Sequence, residues 1–485
     1  MKKITIIISI IFCVVSLTAQ NADFIRYSRL NPMANYYNPA SYTPYNGYVS
    51  FPFLSNFNLS FQNSGFKYKN LFELGNDGTP QTISVNKFVN SLSKKNNILA
   101  FNINEELFGF GFRIKNLFFS FSQRIKYEAN YHYSQDLFGF LALGNLNYVG
   151  PHNPASIDMR FNTALYNETS VGVHYKINDK IYIGIRPKFL NGFMNINVSD
   201  LSFKLYTDPD DYSMKLNYNG ELRFATPIPI FTVENNQIKL ADFSSLNNVG
   251  DYFDLAKQSL TGNSGAGIDL GVLYRFNNNF GVSVSATDIG FIKWKTSTIS
   301  IKTKPLEEGE FVDSEGNVVF NGLNKEVLDA LMNGASFSEA FGLPSSMDTF
   351  FQSLFTIEEL PHYYTSLTTK IGVEGYYQVN PSNRFSALFR GYIVNSTFIP
   401  AFSVAYNGNF WNVIDVVTSY TMTKNSFANL GIGLGVRLGP VHFYGGTDNI
   451  LAVFNPLNSS LMNVQFGLIF DWGIKKAKEK KLDDY

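Results

Sequence analysis

The chain has 485 residues with 39 Lys and Arg against 39 Asp and Glu, a zero formal charge that excludes a basic nucleic-acid-binding surface as its organising feature. Charged residues make up only 16%, against about 25% in soluble domains, while aromatics also reach 16%, with 46 Phe and 28 Tyr. Mean hydropathy is near neutral at −0.07, and no segment approaches the ~18 apolar residues of a spanning helix, which excludes a helical membrane protein. Strands whose lipid-facing and lumen-facing residues alternate would give this mixture, because the two faces cancel in any averaging window.

Residues 1–19 read as a secretory signal, with Lys2 and Lys3, an apolar run from Ile4 to Leu17, and cleavage after Ala19. The single cysteine, Cys13, lies inside that signal behind Ile11-Phe12, which is not a lipoprotein context. The mature chain is therefore expected to have no thiol, disulfide or Cys-based metal site. An exported chain of this length without disulfides fits the outer membrane of a Gram-negative cell.

Residues 20–48 are rich in Asn, Pro and Tyr, including Asn31-Pro32 and Asn38-Pro39-Ala40. Such a segment cannot cross lipid with its backbone unpaired, so it is expected in the periplasm or folded into the barrel mouth like a plug. Alternation begins at Val49 and runs to Gln62, interrupted at Pro52, where pairing should break. A polar connection with a short helix follows over 63–96. Phe108, Phe110, Phe112 and Ile114 then alternate with Gly109, Gly111, Arg113 and Lys115. After a tight turn, Leu117 to Tyr131 carries Arg124, Lys126 and Glu128 on one face. Three charges on one strand face are cheap only in water or when paired, so that face is the lumen.

A loop with a helical piece (Leu137 to Leu143) leads to a hairpin turning at Asn178-Asp179, with Arg186 and Lys188 on the inner face of its return. Asp208-Pro209-Asp210-Asp211 reads as a solvated turn in preference to a calcium loop. Ala266–Phe276 and Phe280–Ala286 form another hairpin, with Asp269 and Arg275 inward. Residues 305–361 break the rhythm, with helix-like stretches at Lys325–Met332 and Met347–Phe355, and are expected to form a lid or plug outside the wall. Strands resume from Tyr363, placing Lys370, Glu374, Arg390 and Arg437 inward. The clearest run is Asn429–Leu438, where bulky aliphatics alternate strictly with Gly, Asn or Arg. The expected fold is an antiparallel transmembrane β-barrel of about 14 strands spanning residues 20–473, followed by a charged tail at 474–485.

Gly265-Ala266-Gly267-Ile268-Asp269-Leu270-Gly271, followed by Asp288-Ile289-Gly290-Phe291-Ile292-Lys293-Trp294, resembles a paired signature of a Bacteroidota outer-membrane barrel family of unknown function. Lys188-Phe189-Leu190-Asn191-Gly192 and Gly446-Thr447-Asp448-Asn449 fit the same pattern, and the resemblance runs from about residue 25 to about 473. It implies a layout similar to long-chain fatty-acid-transporter-like barrels and to barrels of secretion and gliding machinery. It implies no established activity.

The five histidines are scattered and neither a His-Glu-x-x-His nor a Gly-x-Ser-x-Gly motif occurs, so no enzyme, cofactor or metal site is expected. The candidate lumen residues are Arg113, Arg124, Lys126, Glu128, Arg186, Lys188, Asp269, Arg275, Lys370, Glu374, Arg390 and Arg437. They fit either a polar conduit or a salt-bridged filling. Two functions follow: a gated barrel carrying a small, hydrophobic molecule, or an accessory barrel with a plugged lumen. The expected partners are outer-membrane lipid, a small hydrophobic ligand and other envelope proteins.

Overall fold

Period-two alternation builds fourteen wall strands, numbered here β1–β14, in a computed structural model of the chain. It describes residues 24–42, 44–76, 79–226, 231–234, 237–240, 262–305, 312–314, 316–320, 325–340, 354–394, 397–423 and 426–474. The expected signal, the tail after 474 and most of the second helix-like stretch lie outside these residues. The strands are β1 (Gly47–Ser50, resuming at Phe57–Asn63), β2 (Asn97–Ile114), β3 (Leu117–Tyr133), β4 (Ala155–Lys176) and β5 (Ile181–Thr207). Next come β6 (Asn263–Arg275), β7 (Phe280–Trp294), β8 (Thr369–Asn380), β9 (Asn383–Val394) and β10 (Thr397–Phe410). The last are β11 (Ile414–Thr423), β12 (Ser426–Leu438), β13 (Val441–Thr447) and β14 (Leu461–Trp472).

Each strand pairs antiparallel with its neighbours, and Phe470 of β14 faces both Val441 of β13 and Val49 of β1, so the sheet closes on itself. Closure leaves no edge, the condition for strands in lipid. No described helix is long and apolar enough to cross a membrane. On β12, Ile432, Leu434 and Leu438 are exposed outward while Gly431, Gly433 and Gly435 are buried inward. Outward Phe, Leu and Val recur round the wall, as at Phe385, Phe389, Val404 and Phe466. That is the apolar band of a transmembrane-type barrel.

One end of the barrel has tight turns. Asn178, Asn277 and Asn380 each accept two backbone N–H groups through Oδ1, as at Asn277 with Asn279 (2.9 Å) and Phe280 (2.8 Å). The other end has long connections. There β5 runs past the wall, its far half pairing with Met214–Ala225, which pairs in turn with Thr298–Thr303 and then Phe355–Glu359. Phe355, expected to end a helix, instead opens a strand, where the β-branched Thr356 and Ile357 face Lys302 and Ile301. Lys325–Met332 is helical, as its periodicity indicates.

The break expected at Pro52 is a six-residue bulge. Ser50 faces Ile469 and Phe57 faces Phe466, so residues 51–56 stand against only Gly467 and Leu468 of β14. Pro52 has no N–H for the ladder, and Phe53 sits at φ 63°. Phe51, Phe53 and Leu54 point outward from the bulge.

Candidate functional site: an occluded, ion-lined lumen

Residues 24–42 and 44–45 lie inside the barrel. Phe24, Ile25, Tyr27 and Met33 share one apolar cluster with Tyr48, Phe118, Leu388, Val417 and Ile469 of the wall. The segment is built from turns that satisfy their own backbone. A short helix spans Phe24–Tyr27, and a 3-10 turn spans Pro32–Tyr36. Asn31 Oδ1 accepts the Met33 N–H at 2.9 Å with Pro32 at the first helical position. Asn38 Oδ1 accepts the Ala40 N–H, also at 2.9 Å.

Glycines on the inner face make the room. A Cβ on Gly184 would stand 2.1 Å from the Pro39 carbonyl, and one on Gly433 would stand 2.2 Å from the Phe24 ring. The remaining contacts are polar. Arg26 pairs with Glu374 at 3.3 Å and donates to Ser285 Oγ at 3.1 Å. Arg29 donates to Asn407 Oδ1 at 2.6 Å and to the carbonyls of Pro381 and Ser382 at 2.9 Å. The Ser28 hydroxyl donates to Asp415. The Tyr36 hydroxyl donates to Glu106 at 2.7 Å, and its ring lies 4.2 Å from the Arg124 guanidinium and 4.5 Å from that of Arg186.

Beside the plug lies a buried ion cluster. Lys126 meets Glu168 at 2.8 Å and Asp288 at 3.1 Å. Lys188 meets Asp269 at 2.7 Å, Asp288 at 2.5 Å and Glu168 at 3.4 Å. Lys370 reaches Asp288 at 2.8 Å, and Arg124 pairs with Glu168. Asp288 is aimed inward by a bulge. The β6–β7 register shifts between Ile268 and Leu270, Asp288 takes φ 57°, and its N–H donates to Asp269 Oδ1 at 2.7 Å.

Five sequence candidates therefore meet in one cluster: Arg124, Lys126, Lys188, Asp269 and Lys370. Glu128 accepts from the Tyr166 hydroxyl at 3.0 Å. Glu374 holds Arg26 of the plug, and Arg186 lies on Tyr36. The others are apart. Arg113 and Arg275 lie near Tyr42, with their guanidinium carbons 5.2 and 5.8 Å from its ring. Arg437 pairs with Asp471 at 2.5 Å, and Arg390 lies over Tyr392 at 5.4 Å.

The candidate set omits Glu168, Asp288, Glu106 and Asp415, and the plug residues Arg26, Arg29 and Tyr36. Glu168 follows the inward alternation of β4 and was findable on that signal. Glu106 and Asp288 sit beside register shifts, where a count by twos fails.

A cavity of about 780 Å³ opens at the long-loop end among Asn130, Asn162, Asn197, Arg160, Arg223 and Tyr364. Deeper in the lumen the plug leaves voids of only about 30 to 60 Å³. Among the described residues, no group of three or more His, Cys, Asp or Glu side chains is placed to hold a metal ion.

The fold defines a transmembrane-type β-barrel of fourteen strands with its own N-terminal segment packed in the lumen. The chain belongs to a family of proteins of unknown function (DUF5723), whose model matches residues 39–448. No curated protein matches its sequence. Among solved structures it is similar to the Pseudomonas putida toluene transporter TodX, with 8% identity, 94% of this chain and 98% of that one covered, and a TM-score of 0.37. It is also similar to the Ralstonia pickettii toluene transporter TbuX, with 9% identity, coverage of 94% and 95%, and a TM-score of 0.37. A Pseudomonas aeruginosa FadL homologue matches with 10% identity, coverage of 94% and 96%, and a TM-score of 0.30.

Proposed function

We propose that this is an outer-membrane barrel that passes a small molecule when its N-terminal plug yields, with the tight turns toward the periplasm. The carrying observation is the way the plug is held. It enters from the tight-turn end, where β1 begins at Gly47 opposite Phe112 and Trp472. Its wall contacts combine an apolar cluster with exchangeable hydrogen bonds, the Arg26–Glu374 ion pair and cation–π contacts to the rings of Tyr36, Tyr42 and Tyr45. At the opposite end a vestibule of about 780 Å³ opens among wall and loop residues, and deeper in the lumen only small voids are left beside the plug. The resemblance implies a hydrophobic cargo, but the space between plug and wall does not share that character, since Arg26, Arg124, Lys126, Lys370 and Arg390 line it beside the rings of Tyr36, Tyr37 and Tyr392. The described parts of the 305–361 segment, among them residues 325–340 and Phe355–Glu359, serve in this reading as a cap on the extended strands of the long-loop end.

The filled lumen favours a second reading, an accessory barrel of an envelope machine. The test is Tyr36→Ala, which removes a ring bridging two guanidinium groups and a hydroxyl bonded to Glu106. Each such cation–π contact contributes about 0.5–2 kcal/mol. The variant is expected to assemble, to remain heat-resistant on gels and to raise planar-bilayer conductance well above the wild type. Unchanged conductance with an assembled barrel supports the accessory role instead.

A further inference from the structure

We propose that the cargo is a small hydrophilic anion, an inference that rests on the gated-transport reading above. The spaces alongside the plug form a series joined by shared residues. Asn130 and Thr368 line both the vestibule and a void of about 30 Å³. That void reaches Lys370 and Tyr392, which also line a mid-barrel chamber of about 60 Å³. Arg26 lines this chamber and a further one of similar size, which ends at Arg275 and Arg384. The series runs from the vestibule to the tight-turn end along one side of the plug.

The lining of its two inner chambers is predominantly cationic. The middle chamber presents Arg26, Arg124, Lys126, Lys370 and Arg390 against the single carboxylate of Asp288. The lower chamber presents Arg26, Arg29, Arg275 and Arg384 against Glu374. Glu168 and Asp269, which balance Arg124, Lys126 and Lys188, are wholly buried and line neither chamber. The cluster is thus compensated from behind while its open side stays cationic. Arg124 Nε, itself buried, meets no acceptor among the described residues. Rings of Arg and Lys are the device by which pores favour anions, and a guanidinium fork matches carboxylate or phosphate oxygens. A cation would meet the same groups as a barrier.

The test is the reversal potential of full-length Tyr36→Ala protein in planar bilayers under a potassium chloride gradient. The expected result is a shift toward the chloride equilibrium potential, showing a several-fold preference for chloride. Adding Arg390→Glu should move it toward potassium, while Arg390→Lys should keep the anion preference. If Arg390→Glu fails to assemble, Arg384→Glu at the far chamber should produce the same displacement. A conducting pore that prefers potassium, or shows no preference, overturns the anion assignment and leaves the gate standing. A barrel that conducts in neither the wild type nor Tyr36→Ala overturns the gate and the anion assignment together.

Discussion

Asp288→Asn is expected to lower the barrel's stability by about 3–5 kcal/mol, the penalty of removing one partner from a buried ion cluster. Asp288 faces the ammonium groups of Lys126, Lys188 and Lys370 at 3.1, 2.5 and 2.8 Å. Asparagine tolerates the left-handed backbone at φ 57°, so the change isolates charge from conformation. Lys126 and Lys188 keep Glu168 and Asp269, whereas Lys370 loses the ion pair that fixes it. The temperature at which the folded, fast-migrating band disappears from gels should fall sharply. Adding Lys370→Met should restore much of the loss, because it removes the stranded charge. An unchanged unfolding temperature in Asp288→Asn would show that the cluster is not what ties β3, β5, β7 and β8 together.

Leu434→Arg is expected to impair assembly by about 2–4 kcal/mol, the cost of Arg on a barrel's lipid face near the midplane. Leu434 is half exposed outward, while its neighbour Gly433 faces the plug, where a Cβ would meet the Phe24 ring. Gly433→Ser should therefore leave the wall assembled and disturb the lumen alone. Folding yields of the two variants in detergent or lipid measure the contrast. Equal yields would contradict the orientation assigned to β12.

The wall was legible in the sequence because its physics is local. A two-residue period in Asn429–Leu438 or Ile268–Phe276 states which side chains meet lipid, and Asn at 178 and 277 marks the turns. Charges that keep that period, such as Lys126 on β3 and Lys188 on β5, were assignable to the lumen one strand at a time. Their meeting was not legible, because Lys126 and Asp288 are 162 residues apart and join only when the barrel closes. Asp288 was hidden further by a bulge that offsets the period. The plug was one of the two placements expected for the N-terminal segment, but the contacts that hold it were hidden for another reason. Turn chemistry at Asn31 and Asn38 shows that the segment is ordered and cannot lie in lipid, yet the partners that hold it, Glu106, Glu374, Asn407 and Asp415, come from wall strands across the whole chain. A single sequence carries no record of which wall a loop will face.

The most direct test of the gate is to lock it. Phe24→Cys with Gly433→Cys, in a Cys13→Ser background, places two thiols on plug and wall. The Phe24 Cβ stands 2.9 Å from an ideal Cβ on Gly433, so a small shift reaches the roughly 3.8 Å of a disulfide. Conductance in planar bilayers should be abolished on oxidation and return on reduction. Conductance that is the same in both states would contradict a plug that must yield for passage.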